Sequence, residues 1–402
     1  MSVKRFSSDN SLKNTYKLGR GQTSVAIPTS PTISTATKTG STTATVAYTA
    51  SSLGATATSF TATSAPGSLT GTGSSPITVS GLTPNTNYTF TVTATNANGT
   101  SPASAGSNQI TTDVPTTMDY LVVAGGGGSS RGPGGGGGLR GITAASIALS
   151  TTYTITIGNG GTWNNRNSNP GAPFGTNGGN SSFIGGIIST TASGGGGGGN
   201  GDSNTYDGGS ATTANGKAGG SGGGAGADDD HAFSGGAGNA GSYSPVEGYA
   251  GGSGAFGNAD GWTGGGGGAG AVGGNAAVNV TGLGGDGSSS SSAWGAATST
   301  GHLVSSTYYF AGGGTAGSTT PKGGGGTSNV SGTANTGGGS GGSEYGSGSP
   351  TGGSGIVIAR TLDSVATAST ITGAQNSNAP YVTGGYKYYV WKGNGTVAWA
   401  SV

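Results

Sequence analysis

Runs of four to six consecutive glycines, such as residues 125–128, 134–138, 194–199 and 264–268, constrain this chain more than any other feature. Glycine loses the most backbone freedom on ordering and buries no side chain, so such a run cannot form a conventional core. Of the 94 glycines, 79 fall within residues 115–362, with ten before and five after, which makes the chain a compositional chimera. Disorder is the ordinary reading of so much glycine. Two features oppose it: apolar runs interrupt the tracts, and charged residues make up only 7% of the chain, whereas disordered segments usually carry a solvating charge excess. Collagen is excluded, because glycine does not recur at every third position and proline is scarce in the segment.

The physical option that remains is the extended, left-handed, threefold glycine helix. Alone it has no internal hydrogen bonds, so its amides must find water or neighbours. Without Cβ atoms, such helices can approach backbone to backbone and bond in several directions at once. Hydrogen bonds at ~0.5–1.5 kcal/mol net must then offset ~1–2 kcal/mol of backbone ordering per residue, which does not favour folding unaided. Apolar strands are expected to supply the difference: "YLVVA" (120–124), "YTITIG" (153–158), "SFIGGIIS" (182–189) and "GIVIAR" (355–360). With no convincing helical periodicity anywhere, the expected fold class is all-β with glycine coil.

Residues 31–112 show short alternating runs at the spacing of a β-sandwich, with candidate strands at 31–37, 43–49, 58–63, 77–80, 87–96 and 108–112. In "YTFTVTATN", Tyr88, Phe90, Val92 and Ala94 alternate with threonines, so one face is buried and one solvated. The segment Gly81–Ser101 resembles a fibronectin type III domain. Leu82, Pro84, Thr86 and Tyr88 match the family's E–F turn and tyrosine corner, and Asn96, Asn98, Gly99 and Ser101 match its F–G turn. The family's usual tryptophan is absent, with Tyr48 as its substitute. This resemblance implies a spacer domain over residues 26–114.

"DYLVVAGGGG…GGGGGLRG…TYTITIGNGG" and the closing "GGSGIVIAR" resemble the glycine-rich domain of tailed-phage virion proteins, over residues 117–361. The tracts also resemble the polyglycine sandwich of adhesins that cap phage tail fibres, and that likeness implies receptor recognition by the loops between tracts. These loops are 162–174, 202–207, 227–233, 242–249, 256–262 and 306–310. Their receptor-contact candidates are Trp163, Arg166, Phe174, Tyr206, Asp229, His231, Tyr243, Tyr249, Trp262, Tyr308 and Tyr309, since aromatics beside Asn, Asp and Arg suit sugar faces or a protein epitope. The competing reading is that the aromatics cap a slab that lacks any other side-chain core. In the tail, residues 362–402, "YKYYVW" and "TVAWA" flank "KGNG", a hairpin signal.

Net charge is +1, so nucleic acid is not an expected partner. Lys4, Arg5, Lys13, Lys17 and Arg20 make residues 1–25 a basic arm, read either as a solvated tail or as a peg that docks on other virion proteins. The chain has no cysteine, no apolar leader of the Sec type and no long apolar stretch. Enzymatic chemistry is not expected. His231 follows three aspartates, but adjacent carboxylates diverge and are more often solvated, so no metal or cofactor is assigned. "PKGGGG" (321–326) carries its lysine on the wrong side for a phosphate loop. The expected function is a virion surface protein, a homo-oligomeric tail-fibre adhesin that attaches to a host glycan or outer-membrane protein. The alternatives are a head decoration or an extracellular filament subunit.

Overall fold

The computed structural model describes residues 26–113, 117–148, 151–164, 175–200, 215–227, 233–256, 262–342 and 348–399. The basic arm lies outside them. The chain divides into two compact units, Met1–Val114 and Pro115–Val402.

In the first unit, β1 (Thr32–Lys38), β2 (Thr43–Thr49) and β5 (Ile77–Ser80) form one sheet in the order β1-β2-β5. The second sheet runs β4-β3-β6-β7, from β3 (Ser59–Ala65), β4 (Thr70–Thr72), β6 (Asn87–Asn96) and β7 (Gly99–Thr100), and β8 (Ile110–Thr111) also pairs with β6. Alternation puts Val46, Ile77, Val79, Tyr88, Phe90 and Val92 into one core. Tyr48 lies in that core with its ring 4.7 Å from Phe60. Leu82 is buried beneath the E–F turn, Pro84 is half-buried, and the Tyr88 hydroxyl accepts the Thr83 N–H at 2.9 Å, closing the tyrosine corner. Residues 101–107 do not form a pleated strand. Ser101, Ser104 and Ser107, three apart, donate their N–H groups to Ala94, Val92 and Phe90, and their hydroxyls accept the N–H groups of those same residues. A threefold segment is thereby stitched to β6.

The second unit joins a rolled sheet to a lattice of glycine helices. Its strands are β9 (Thr117–Val123), β10 (Leu139–Ser146), β11 (Thr152–Thr156), β12 (Ser181–Gly185) and β13 (Ile188–Ala192), then β14 (His302–Val304), β15 (Thr307–Tyr309), β16 (Ile356–Leu362), β17 (Thr370–Ala374), β18 (Tyr381–Thr383) and β19 (Tyr386–Ala398). The main sheet runs β10-β9-β16-β19-β11-β12-β13. It curls so that Tyr120, Tyr153, Phe183, Tyr389, Trp391 and Trp399 meet inside, with ring centroids 5.0–6.3 Å apart. The Tyr120 hydroxyl reaches across the interior to Thr190 at 2.8 Å. On the sheet's other face, Leu121, Val123, Ile356, Ile358 and Val390 pack with Phe310 and Trp294.

Three expectations need correcting. "SFIGGIIS" is a hairpin, β12–β13, which turns at Gly186 with φ +55. The tail's hairpin turns at Gly384–Gly385 (φ +59 and +79), joining β18 to β19 in the geometry favoured for two-residue turns, whereas "KGNG" lies inside one 13-residue strand. That strand pairs with β16 through its first half and β11 through its second. A short helix α1 (Ser292–Thr298) was not expected. It buries Trp294 against the sheet, and an apolar contact of this kind overrides a seven-residue segment's weak periodicity.

The strands run straight into the glycine tracts, and the tracts form a threefold lattice. In residues 125–128, Gly125 and Gly128 donate to Gly179 and Thr176 at 3.0 and 2.9 Å, Gly126 donates to Gly353 at 2.9 Å, and Gly127 donates to Gly135 at 2.8 Å. Gly195 and Gly198 donate to the carbonyls of Gly125 and Gly128, Gly161 to that of Gly126, and Ser340 to that of Gly127. Residues three apart share a neighbour, the signature of three residues per turn. One short tract thus bonds to six others, donating to three and accepting from three. The same period holds next door, where Gly134 and Gly137 bond to Ser340 and Gly337, and Gly135 and Gly138 to Gly196 and Ser193. Glycine is obligatory here because an added Cβ at Gly126, Gly127 or Gly128 would lie 2.1 Å from a neighbouring carbonyl oxygen. Side chains join in where they can imitate the backbone: Asn177 and Asn180, again three apart, accept the N–H groups of Gly197 and Gly194 through Oδ1.

Candidate functional site

The lattice has two ends. At one, the tracts become strands of the rolled sheet. At the other, about 20 Å along a threefold helix that rises ~3.1 Å per residue, the tract 125–128 turns through Ser129–Gly132 into the tract 134–138. Around this turn the roots of the interrupting loops converge. Asn164 donates to Ser129 O at 3.2 Å, and Ser130 Oγ lies 3.3 Å from Asn164 O and 3.4 Å from Asn200 Oδ1. Gly132 donates to Gly199 O at 2.7 Å, Arg131 Nη1 donates to Ala227 O at 3.2 Å, and Ser129 Oγ lies 3.4 Å from Pro350 O. Gly342 packs against Arg131 O. Beside Ala227, Gly254 donates to Phe233 O at 2.9 Å, and Ala255 pairs with Trp262.

The described residues that flank segments 165–174, 201–214, 228–232 and 343–347 therefore meet at one end of the lattice, opposite the sheet, and those that flank 257–261 lie beside Phe233. Arg166, Phe174, Tyr206, Asp229 and His231 belong to these segments and lie outside the described residues. Trp163 and Trp262 stand half-buried at the roots. In sequence, the five segments carry Asp202, Asp207, Asp228, Asp229, Asp230, Asp260 and Glu344, seven of the chain's 13 acids, against Arg166 as their one Lys or Arg. The chain's near-neutral total thus conceals an acidic set of segments.

The other sequence candidates are at the sheet end. The Arg140 guanidinium stacks 3.8 Å from the Tyr243 ring centroid, at the start of β10. Tyr249 is exposed and donates its N–H to Gly268 O at 3.1 Å. Tyr308 and Tyr309 are half-buried on β15, which pairs with β14 beside α1, and Tyr308 N–H is held by Ser292 Oγ at 2.9 Å. The structure thus gathers Trp163 and Trp262 with the roots and sets Tyr243, Tyr249, Tyr308 and Tyr309 apart from them.

Sequence reasoning passed over two groups. Glu247 is fully buried, and its carboxylate accepts the N–H groups of Ser193 at 2.9 Å and Gly241 at 3.1 Å, tying the 241–248 loop to the lattice. An acid in a tract-poor stretch reads as solvated, so only its isolation from other charges hinted at this. Arg131, midway between the two nearest tracts, marks the turn on which the loop roots converge. Burial lowers the pKa of Lys217 and of His302. Among the described residues no group of three or more His, Cys, Asp or Glu is placed to hold a metal, and no helix is long and apolar enough to cross a membrane.

The glycine-rich domain family model matches residues 103–362. This chain belongs to the glycine-rich domain family. The fibronectin type III model matches residues 29–110, the first unit. No curated protein matches the chain. The glycine-rich domain match ends at residue 362, yet β17, β18 and β19 beyond it complete the sheet that caps the lattice. A fibronectin type III sandwich followed by a glycine-rich domain is the make-up of a structural, adhesion-type protein.

Proposed function

We propose that this glycine-rich domain protein is a virion surface adhesin of a tailed phage, a tail-fibre component that attaches to a host-surface glycan or outer-membrane protein and catalyses no reaction. The observation that carries this reading is the convergence of four loop roots on the Ser129–Gly132 turn. A lattice built largely of hydrogen-bonded glycine backbone brings those roots together at one end, as a scaffold for recognition loops requires. The basic arm at residues 1–25 docks the chain on the particle, the sandwich serves as a spacer domain, and several copies on one particle turn weak contacts into avidity.

The reading is tested by immunogold labelling of purified particles with an antibody to residues 163–262, together with adsorption to host cells in the presence of the purified full chain. Label at fibre ends and blocked adsorption support it. Label over the shell transfers the protein to capsid decoration, and absence of label from particles removes the virion assignment. In a second arm, Asp228, Asp229 and Asp230 are replaced by serine in the full chain. Competition should weaken while tryptophan fluorescence stays native.

A further inference from the structure

His302 begins the β14–β15 hairpin, and its Nδ1 accepts two backbone N–H groups at once, those of Gly323 and Gly324, each at 3.1 Å. Those glycines have φ +98 and +82, a left-handed pair that aims two successive N–H groups into one concavity. Among the described residues neither N–H has another acceptor, and the concavity holds a ring nitrogen where such a nest usually holds an anion. Two donors on Nδ1 require that atom to be bare, so the neutral imidazole carries its proton on Nε2. The turn matters to the lattice. Gly287 donates to Lys322 O at 2.6 Å, Gly312 to Gly323 O at 3.0 Å and Thr333 to Gly324 O at 2.7 Å.

We propose that His302 is an acid-sensitive latch: neutral, it holds the Lys322–Gly324 turn against the corner of the glycine lattice, and protonated it releases that turn. A proton on Nδ1 would replace an acceptor by a third donor, leaving two N–H groups unpaired and facing an N–H⁺. The titratable and charged groups around it are Tyr309 on the paired strand, Lys322 in the turn and Asp286, whose carboxylate is 3.0 Å from Lys322 Nζ. Helix α1 contributes none. Burial already lowers the His302 pKa from its ordinary value, so the fold favours the neutral ring. The sign follows: the latch is fully closed above the unfolded value of ~6.5 and opens as pH falls below it through the lower folded value.

The test is amide exchange at Gly323 and Gly324 in the full chain between pH 7.5 and pH 4.5, corrected for intrinsic exchange, with the His302 ring titrated by NMR in parallel. Protection should fall about ten- to a hundredfold as the ring protonates, the change expected for losing two hydrogen bonds. Protection at Gly126 and Gly127 should hold, separating latch opening from global unfolding. His302→Asn puts a non-titrating oxygen in place of Nδ1 and should keep Gly323 and Gly324 protected at both pH values, while His302→Leu should expose them at both. Unchanged wild-type protection at pH 4.5, or an equal acid loss in His302→Asn, overturns the latch. If the asparagine variant does not fold, the wild-type titration alone decides: loss of protection that does not track the ring overturns it too.

Discussion

A methyl group in the middle of the lattice should be more damaging than one on a strand. In Gly127→Ala the new Cβ lies 2.1 Å from Gly196 O, and ordinary contact begins at 3.4 Å, so the two rows must part by about 1.3 Å. The bonds that join those rows are now 2.9 Å from Gly195 N to Gly125 O and 2.9 Å from Gly198 N to Gly128 O, and the displaced carbonyl also accepts Gly135 N at 2.8 Å. Stretched by that amount they pass the ~3.2 Å limit of a useful hydrogen bond. At ~0.5–1.5 kcal/mol each, three bonds are worth about 1.5–4.5 kcal/mol. Alanine's less flexible unfolded chain returns ~0.4–1 kcal/mol. The net expectation is a loss of about 1–4 kcal/mol. Gly141→Ala is the internal control: on β10 its Cβ meets nothing within 4 Å and its φ is not positive, so the variant should be neutral or stabilised by up to ~1 kcal/mol. Urea unfolding followed by tryptophan fluorescence isolates the relevant unit, because all five tryptophans lie at or beyond residue 163. Equal midpoints for the two variants, with equal slopes, would refute the claim that main-chain packing holds this unit together.

Glu247→Gln should destabilise the same unit by ~1–2 kcal/mol and Glu247→Ala by more, read by the same urea titration. The amide turns a donor toward one of two buried N–H groups, and the alanine leaves both unpaired. In the first unit, Tyr88→Phe removes the acceptor of the Thr83 N–H and should cost ~1–2 kcal/mol. It should speed amide exchange at Val46 and Val92 while leaving the tryptophan-reported transition in place; a shift of that transition would contradict the division into two units.

Where side chains alternate, the sequence was legible almost to the residue. Strands β2, β5 and β6 begin and end where the alternation of Val46, Ile77, Val79 and Phe90 with threonines places them. The tyrosine corner was readable because Leu82, Pro84 and Tyr88 have fixed roles at fixed offsets. Lateral bonding of the tracts was also foreseeable, since glycine leaves backbone approach as its one asset. Which tract neighbours which was not: residues 126–128 carry nothing to distinguish Gly135 from Gly353 as a partner, so pairing is dictated by the strands that feed each tract and by turn lengths. A polar signal of period three was present and passed over. Ser101, Ser104 and Ser107, like Asn177 and Asn180, sit at the repeat of the threefold helix they satisfy, and neither the period of a strand nor that of an α-helix would find them. Tyr308 and Tyr309 were read by composition alone, and a loop rich in aromatics looks the same in sequence whether it faces solvent or, as here, lies beside α1 and the buried Phe310.

The way the loops are rooted predicts that substitutions within them should cost the fold little. Many of the bonds at the roots use main-chain atoms: Asn164 N to Ser129 O, Gly132 N to Gly199 O and Gly254 N to Phe233 O. A conventional core links surface loops to stability through the side chains that anchor them, so substitutions there carry a folding cost. Here the lattice closes its hydrogen bonds before each loop begins, and the sheet with its six inward aromatics is at the opposite end. Loop sequence is thereby separated from fold stability by about 20 Å of bonded backbone. Glycine, the residue least able to build a core, is for that reason suited to carry segments whose sequence can change at little cost to the fold.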